Sequence, residues 1–312
     1  VLNNLSSKSM SKFNKVCILN TCIESVLDKL DLKGLSGKNI FLTGSTGYMG
    51  LWLLSTLDAL SKKGILFGVW VLSRNPDFFL SRNQQFLKKS WLNFIIGDIK
   101  DFQIPKTKFD LILHGATETS PAAHADPTRM FDDIVFGTRR VIELAENQAV
   151  SRILLISSGA VYGRQPNGIK YQPDDSKLAC STLISGSAYS EGKRVMELMG
   201  TLLNQRTGIE FSVARCFSFS GPGLPLNKQF AIGNFVRDAL FKKKIIVKGN
   251  GLSRRSYLFG ADLALWLLFM LINGKNKMSY NVGSDEAISI LALATKVRDL
   301  LCPHKPIEIM HK

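Results

Sequence analysis

The segment Lys38-Asn-Ile-Phe-Leu-Thr-Gly44-Ser-Thr-Gly47-Tyr-Met-Gly50 constrains this chain more than any other. Ile40 to Leu42 is a short apolar run that reads as a buried strand. Three glycines follow at intervals of three, and Leu51-Trp-Leu-Leu-Ser-Thr-Leu-Asp-Ala-Leu60 continues with helical periodicity. A strand, a glycine turn and a helix, in that order, aim backbone N–H groups and the positive end of a helix at one point. A pyrophosphate is the ligand that such a point suits. The spacing is Gly-x-x-Gly-x-x-Gly rather than the commoner Gly-x-Gly-x-x-Gly.

The rest of the chain supports an α/β fold of the doubly wound, Rossmann type. Strands are predicted at Asn39–Thr43, Leu66–Ser73, Leu92–Ile96, Leu111–His114, Ile153–Ser157 and Glu210–Arg215. Helices are predicted near Leu51–Leu60, Thr128–Asn147 and Ala188–Asn204, so strands and helices alternate as in a parallel sheet. After Phe217 the pattern loosens into Gly221-Pro-Gly-Leu-Pro225, which marks the start of a smaller substrate-binding part. Residues 1–35 read as a polar extension with a helix near Thr21–Leu30.

A second signal carries chemistry. Tyr189 and Lys193 are four residues apart in a predicted helix, so they share one face. An ammonium near a phenol lowers the phenol's pKa from about 10. A phenolate near neutral pH is a general base for a sugar or alcohol hydroxyl. Of the six tyrosines, only Tyr189 has a lysine four positions on. Ser158 ends the strand Arg152-Ile-Leu-Leu-Ile-Ser-Ser158, so its hydroxyl is expected at the carboxyl edge of the sheet, where open α/β folds bind ligands.

Composition excludes other classes. With 45% hydrophobic and 21% charged residues in 312, the chain is globular rather than disordered. Its net charge is +15, but the basic residues are scattered, with only short clusters such as Lys242-Lys-Lys244, and no nucleic-acid recognition motif is present. No nucleic-acid partner is expected; a basic cleft would instead attract a diphosphate. The longest uncharged apolar run, Leu263 to Ile272, is too short to span a bilayer, so no membrane association is expected. No secretory signal pattern is evident. The five cysteines and four histidines show neither paired nor metal-ligand spacing, which reads as a reduced, cytoplasmic protein without a bound metal.

Together these motifs resemble the extended short-chain dehydrogenase/reductase family: the NAD-dependent epimerases and dehydratases, nucleotide-sugar epimerases and UDP-glucuronate decarboxylases. The resemblance runs from about residue 36 to the end. It rests on Thr43-Gly44-x-x-Gly47-x-x-Gly50, Gly97-Asp98-Ile99, His114-Gly-Ala-Thr117, Ser157-Ser158-Gly-Ala-Val-Tyr-Gly163 and Tyr189-x-x-x-Lys193. Arg215-Cys-Phe-Ser-Phe-Ser-Gly-Pro-Gly223, Arg255-Ser-Tyr-Leu-Phe-Gly-Ala-Asp262 and Tyr280-Asn-Val-Gly-Ser284 complete it. The closest local likeness, Tyr-x-Glu-Gly-Lys-Arg, is to the UDP-glucuronate decarboxylases.

The resemblance implies an enzyme on a nucleotide-diphospho-sugar, with hydride moving between a nicotinamide and a ring carbon, C4 foremost. It implies catalysis by Ser158, Tyr189 and Lys193. It implies a dinucleotide held by Gly44, Thr46, Gly47, Tyr48, Met49, Gly50, Ser73, Arg74, Asp98, Ile99, Ala116 and Thr117, together with Tyr189 and Lys193. Substrate is expected at Ser158, Ser218, Asn234 and Arg255, the last pairing with the diphosphate. A dinucleotide-binding domain of 36–216 plus about 258–283 and a substrate-binding part of about 217–257 plus 284–312 are implied. So is a homodimer through Thr128–Asn147 and Ala188–Asn204.

Two departures shape the reading. Sugar 4,6-dehydratases carry Thr-Asp-Glu where this chain has Ser158-Gly159-Ala160, and the decarboxylases keep a glutamate at Ala160. Glycine and alanine transfer no protons, so epimerisation leads and reduction of a 4-keto sugar follows closely, ahead of dehydration or decarboxylation with replaced acids. A non-catalytic dinucleotide sensor is the alternative of another class. The predicted strand Leu66–Ser73 ends in Ser73-Arg74-Asn75 without the acid that binds the 2′-hydroxyl of NAD. A hydroxyl and a cation suit a 2′-phosphate, which tilts the cofactor from NAD toward NADP.

Overall fold

The computed structural model describes residues 10–311 other than 167 and 170. Helix α1 (Met10–Glu24) precedes β1 (Asn39–Thr43), α2 (Tyr48–Lys62), β2 (Gly68–Ser73), α3 (Pro76–Arg82) and β3 (Leu92–Ile96). The chain then crosses to β4 (Leu111–His114), α4 (Pro121–His124), α5 (Pro127–Gln148), β5 (Arg152–Ser158), α6 (Ala188–Thr207) and β6 (Glu210–Cys216). Next come β7 (Ser218–Ser220), α7 (Ala231–Phe241), β8 (Ile245–Val247) and β9 (Arg254–Phe259). The last elements are α8 (Gly260–Asn273), β10 (Met278–Val282), β11 (Ala287–Ser289), α9 (Ile290–Leu301) and β12 (Ile307–Ile309).

Seven strands form one sheet in the order β10-β6-β5-β4-β1-β2-β3, with every neighbour parallel. Chain order runs outward from β1 to β3 and then reverses at β4. In open α/β sheets such a reversal is where ligands bind, which here falls beyond the carboxyl ends of β1 and β4. Ile40–Leu42, Leu111–Leu113 and Ile153–Ile156 are buried continuous apolar runs, as a parallel sheet covered on both faces demands. One face packs on α2 and α8 through Trp52, Leu54, Leu57, Leu263, Ala264 and Leu268. The other face packs on α5 and α6 through Phe41, Ile112, Ile134, Leu155 and Met196.

Two expected elements differ. The N-terminal helix covers Met10–Glu24 rather than Thr21–Leu30, and only a single tight turn follows at Leu27–Lys29. The Val26 N–H bonds the Ile23 carbonyl and the Ser25 hydroxyl bonds the Cys22 carbonyl, which ends the helix there. Leu19, Ile23, Val26, Leu27, Leu32 and Leu35 are buried in the same cluster as Trp52, so this polar-looking segment covers α2. Strand β2 starts at Gly68, not Leu66, which is 74% exposed. A Cβ at Gly68 would lie 2.4 Å from the Trp70 ring, so the strand opens on a glycine for lack of room.

Beyond β6 the chain forms a three-stranded sheet, β11-β9-β7, and a parallel pair, β12-β8. Phe235, Ile245, Val247, Leu293 and Val297 form a separate small core between α7 and α9. Strand β10 returns to the main sheet beside β6. Among the described residues no helix is long and apolar enough to cross a membrane, and no group of three His, Cys, Asp or Glu is placed to hold a metal ion.

Candidate functional site

The glycine turn is dictated by close backbone approach. Gly44 has φ +75°, and an added Cβ would lie 2.5 Å from the Gly115 carbonyl oxygen. A Cβ at Gly50 would lie 2.1 Å from the Ser45 backbone. Gly47 differs: its Cβ would meet only the Gly44 oxygen, at an ordinary 3.6 Å. The protein leaves that room unfilled. Gly47 is also the N-cap of α2 and brings no side-chain hydrogen bond to the first turn, so the helix's leading N–H groups remain available. Room against the turn and an uncapped helix N-terminus fit the pyrophosphate of a dinucleotide. Thr46 is exposed beside the turn, and Met49 packs inward on the core.

Beneath the turn lies a closed polar chain. The Thr43 hydroxyl oxygen accepts from the Gly115 and Ala116 N–H groups, each at 3.1 Å, and pairs with His114 Nδ1 at 2.8 Å. His114 Nε2 meets the Thr138 hydroxyl oxygen at 3.1 Å, and that hydroxyl donates to the Ile134 carbonyl. The Thr138 proton is thus committed, so Nε2 carries the imidazole proton and Nδ1 accepts from Thr43. Burial pushes the His114 pKa down to about 3, with Lys193 adding to the effect. This chain locks β4 to β1 and fixes Ala116. The neighbouring Thr117 hydroxyl donates to the Ala116 carbonyl.

The structure brings Ser158, Tyr189 and Lys193 together. Ser158 ends β5, and its oxygen accepts from the Ala160 N–H at 3.1 Å. Tyr189 stands in the first turn of α6, close enough to Ser158 for that side chain to act on its phenol. Lys193, one turn on, is buried and donates to the Ile156 carbonyl at 2.7 Å. The helical spacing does align tyrosine and lysine, but the long lysine stem carries the ammonium to that carbonyl. The expected lowering of the phenol is accordingly not what this arrangement gives. Burial raises the Tyr189 pKa, and only Ser158 acts in the opposite sense. Burial also brings Lys193 down to about 8, against the pull of Cys216 and Glu197.

Sequence reasoning gave no role to the groups behind this set. Glu197 lies one turn beyond Lys193 and takes a two-point contact from Arg215, at 3.1 and 2.7 Å. Ser157 donates to the same carboxylate. Arg215 also donates to the Tyr162 phenol at 2.9 Å, which donates to Asn281 at 2.8 Å. Cys216 pairs in register with Ser158, and burial pushes its thiol up to about 12 despite Lys193. The His124 ring stands edge-on to Tyr189, centroids 5.8 Å apart. The spacing of Lys193 and Glu197 along α6 is the one available signal. The other partners are distant in sequence.

At the ends of β2 and β3 the residues assigned to the dinucleotide are less convergent. The Ser73 oxygen accepts from the Asn75 N–H at 3.2 Å, and Asn75 caps α3 through the Phe78 N–H. Arg74 is exposed and faces Glu118 at 3.9 Å. Asp98 accepts from the Lys100 N–H in a local turn, and Ile99 packs against Gly137 of α5. The Tyr48 phenol leaves the turn altogether and donates to the Ser220 carbonyl at 2.6 Å.

Among the residues expected to meet substrate, Ser218 of β7 is in register with Tyr257 of β9, and Arg255 shares the Tyr257 face. Arg255 is exposed and lowers the Tyr257 phenol, which burial raises more. Asn234, in the first turn of α7, accepts from Arg237 at 3.2 Å. A Cβ at Gly159 would lie 2.6 Å from the Phe217 ring, which would have to move, and Ala160 is exposed.

A doubly wound sheet with a glycine turn on β1 and a Ser-Tyr-Lys set at β5 and α6 defines the class of Rossmann-type dinucleotide proteins. The profile of the NAD dependent epimerase/dehydratase family matches residues 40–283, and the chain belongs to that family. It is 26% identical over 279 residues to UDP-glucuronic acid decarboxylase 2 of Arabidopsis thaliana, covering 87% of this chain and 59% of that one. It is 27% identical to UDP-glucuronic acid decarboxylase 1 of Danio rerio, covering 88% of this chain and 63% of that one. The chain thus spans about three-fifths of these relatives' length. The fold matches UDP-glucuronic acid 4-epimerase from Bacillus cereus in complex with UDP-glucuronic acid and NAD, at TM-score 0.74 and 19% identity, over 88% of this chain and 86% of that one. It also matches UDP-N-acetylglucosamine 4-epimerase from Methanobrevibacter ruminantium M1, at TM-score 0.76 and 21% identity, over 89% and 86%.

Proposed function

We propose that this protein is a nucleotide-diphospho-sugar epimerase that inverts a ring carbon, C4, with a bound nicotinamide dinucleotide. The relatives' names support the substrate class, and the NAD in the Bacillus cereus structure supports the cofactor. The Gly44–Gly50 turn would hold the pyrophosphate. When bound, the dinucleotide supplies reversible hydride transfer. Tyr189 exchanges the proton of the reacting hydroxyl, Ser158 hydrogen-bonds the same oxygen, and Lys193 is the buried cation at their base. Ser218, Asn234 and Arg255 are assigned to the sugar nucleotide.

One observation carries the choice of reaction: no carboxylate stands at Gly159 or Ala160 beside Ser158. Loss of water needs a proton donor and acceptor there. A second reading, reduction of a 4-keto sugar, is favoured by the raised phenol of Tyr189, which keeps the proton such a reduction must deliver. The test is incubation with UDP-, dTDP-, GDP- and CDP-sugars and their 4-keto derivatives, followed by mass spectrometry and proton NMR. Epimerisation gives a product of unchanged mass with no net cofactor use. Stoichiometric NADPH consumption supports reduction instead. A product lighter by water or carbon dioxide defeats both readings.

A homodimer is part of the same proposal. Phe136 of α5 and Leu198 and Leu202 of α6 are exposed on the outer faces of two helices that pack together. Light scattering should give twice the chain mass, and a monomer at micromolar concentration rejects the dimer.

A further inference from the structure

Arg74 follows β2, and Glu118 lies in the segment after β4. β2 and β4 are the two strands that flank β1. Adjacent strands lie about 4.8 Å apart, so a link between those two segments crosses the carboxyl end of β1. Arg74 Nη2 and Glu118 Oε2 make that link at 3.9 Å, across the edge from which the glycine turn departs. The side chains are 67% and 53% exposed, so the pair contributes little to stability. Glu118 is held by its other oxygen, which accepts from the Ser120 N–H at 3.3 Å. Ser120 in turn caps α4.

We infer that Glu118 determines which dinucleotide this chain selects, by neutralising Arg74 and setting the end of β2 for a ribose 2′-hydroxyl and against a 2′-phosphate. The inference rests on the dinucleotide reading above. In a Rossmann turn the residue ending the second strand faces the adenosine ribose, with an acid for a 2′-hydroxyl or an arginine for a 2′-phosphate. Here the arginine comes from β2 and the acid arrives from the far side of β1. A 2′-phosphate would set its negative charge beside the Glu118 carboxylate and would have to draw Arg74 away from it. A neutral 2′-hydroxyl meets no such repulsion and can donate to a carboxylate. Ser73 offers little to the contest, since its oxygen already accepts from Asn75.

The experiment is equilibrium binding of NADH and of NADPH, read by nicotinamide fluorescence at fixed low ionic strength, with no sugar present. Wild-type protein should bind NADH more tightly than NADPH. Glu118→Gln should tighten NADPH by about fivefold without tightening NADH, the scale of a modest charge contact. Adding Arg74→Ala to that variant should remove the gain, because the two residues act as one unit. A wild-type preference for NADPH overturns the inference. So does an NADPH-to-NADH ratio unmoved by Glu118→Gln, or a gain that survives loss of Arg74. Binding of both dinucleotides with an unmoved ratio overturns this inference alone. Binding of neither overturns the dinucleotide reading with it.

Discussion

At the β1 end of the crevice the protein is held by backbone packed on backbone, whereas at the β5 end it is held by polar side chains buried around Lys193. Around the turn the decisive contacts are Gly44 against Gly115 and Gly50 against Ser45, and no charge is involved. Around β5 they are Lys193 on Ile156, Glu197 on Arg215 and Ser157, and Tyr189 on Ser158. The first end tolerates no added atom at Gly44 or Gly50. The second holds ionisable groups away from their ordinary protonation balance. One end therefore fails by sterics and the other by chemistry.

The largest expected effect breaks the steric end. Gly50→Ala places a methyl 2.1 Å from the Ser45 backbone, which cannot yield as a side chain can. A loss of at least about 3 kcal/mol in urea unfolding is expected. A change below about 1 kcal/mol would show that the turn relaxes and that sterics do not rule there. Next comes the chemical end. Tyr189→Phe should leave stability and dinucleotide binding nearly intact and lower turnover at least about a hundredfold, about 2.7 kcal/mol. Turnover within a few-fold of wild type would return the protein to the dinucleotide-sensor reading.

The polar chain beneath the turn, which ties β1 and β4 to α5, gives a pH signature. The folded pKa of His114 is about 3, below its ordinary value of 6.5. The unfolded chain therefore binds the extra proton first. The stability from a neutral His114 is complete above pH 6.5 and is lost as pH falls toward 3. Between pH 7 and 5 the loss should be about 2 kcal/mol by denaturant titration. A flat profile, or imidazole NMR signals of His114 that titrate near pH 6.5, would contradict the locked chain. The smallest effect sharpens the comparison within the turn itself. Gly47→Ala should change stability by under about 1 kcal/mol and weaken NADH about tenfold, because the space it fills belongs to the ligand. Unchanged NADH binding would remove the pyrophosphate from that position.

The same contrast explains what can be read from the sequence. Glycines at Gly44 and Gly50 are legible because only one residue type fits a backbone approach of that closeness. The strand Asn39–Thr43 and the helix beginning at Ala188 are legible from apolar runs and periodicity. The helix Met10–Glu24 is not, because its buried Leu19 and Ile23 sit among Asn, Ser, Thr and Lys. Glu197 and Glu118 are not either. A charged residue in a sequence reads as solvated until the fold supplies its partner: Glu197 meets Ser157 and Arg215 of two strands, and Glu118 meets Arg74 beyond another. The Tyr189–Lys193 spacing shows the limit most sharply. Periodicity places both on one face, yet only the fold shows the ammonium reaching the Ile156 carbonyl.

Tyr48 opens α2 at the glycine turn, and its phenol is spent on Ser220, two residues beyond Ser218 on the short strand β7. The turn proposed for the dinucleotide is thereby fastened to the strand proposed for the sugar. Two occupants of such a cleft do not bind as strangers. If the dinucleotide sits on the turn as proposed, a shift of the turn on binding would be passed by that hydrogen bond to the strand assigned to the sugar. Whatever factor the first occupant lends to the second is returned by the second to the first.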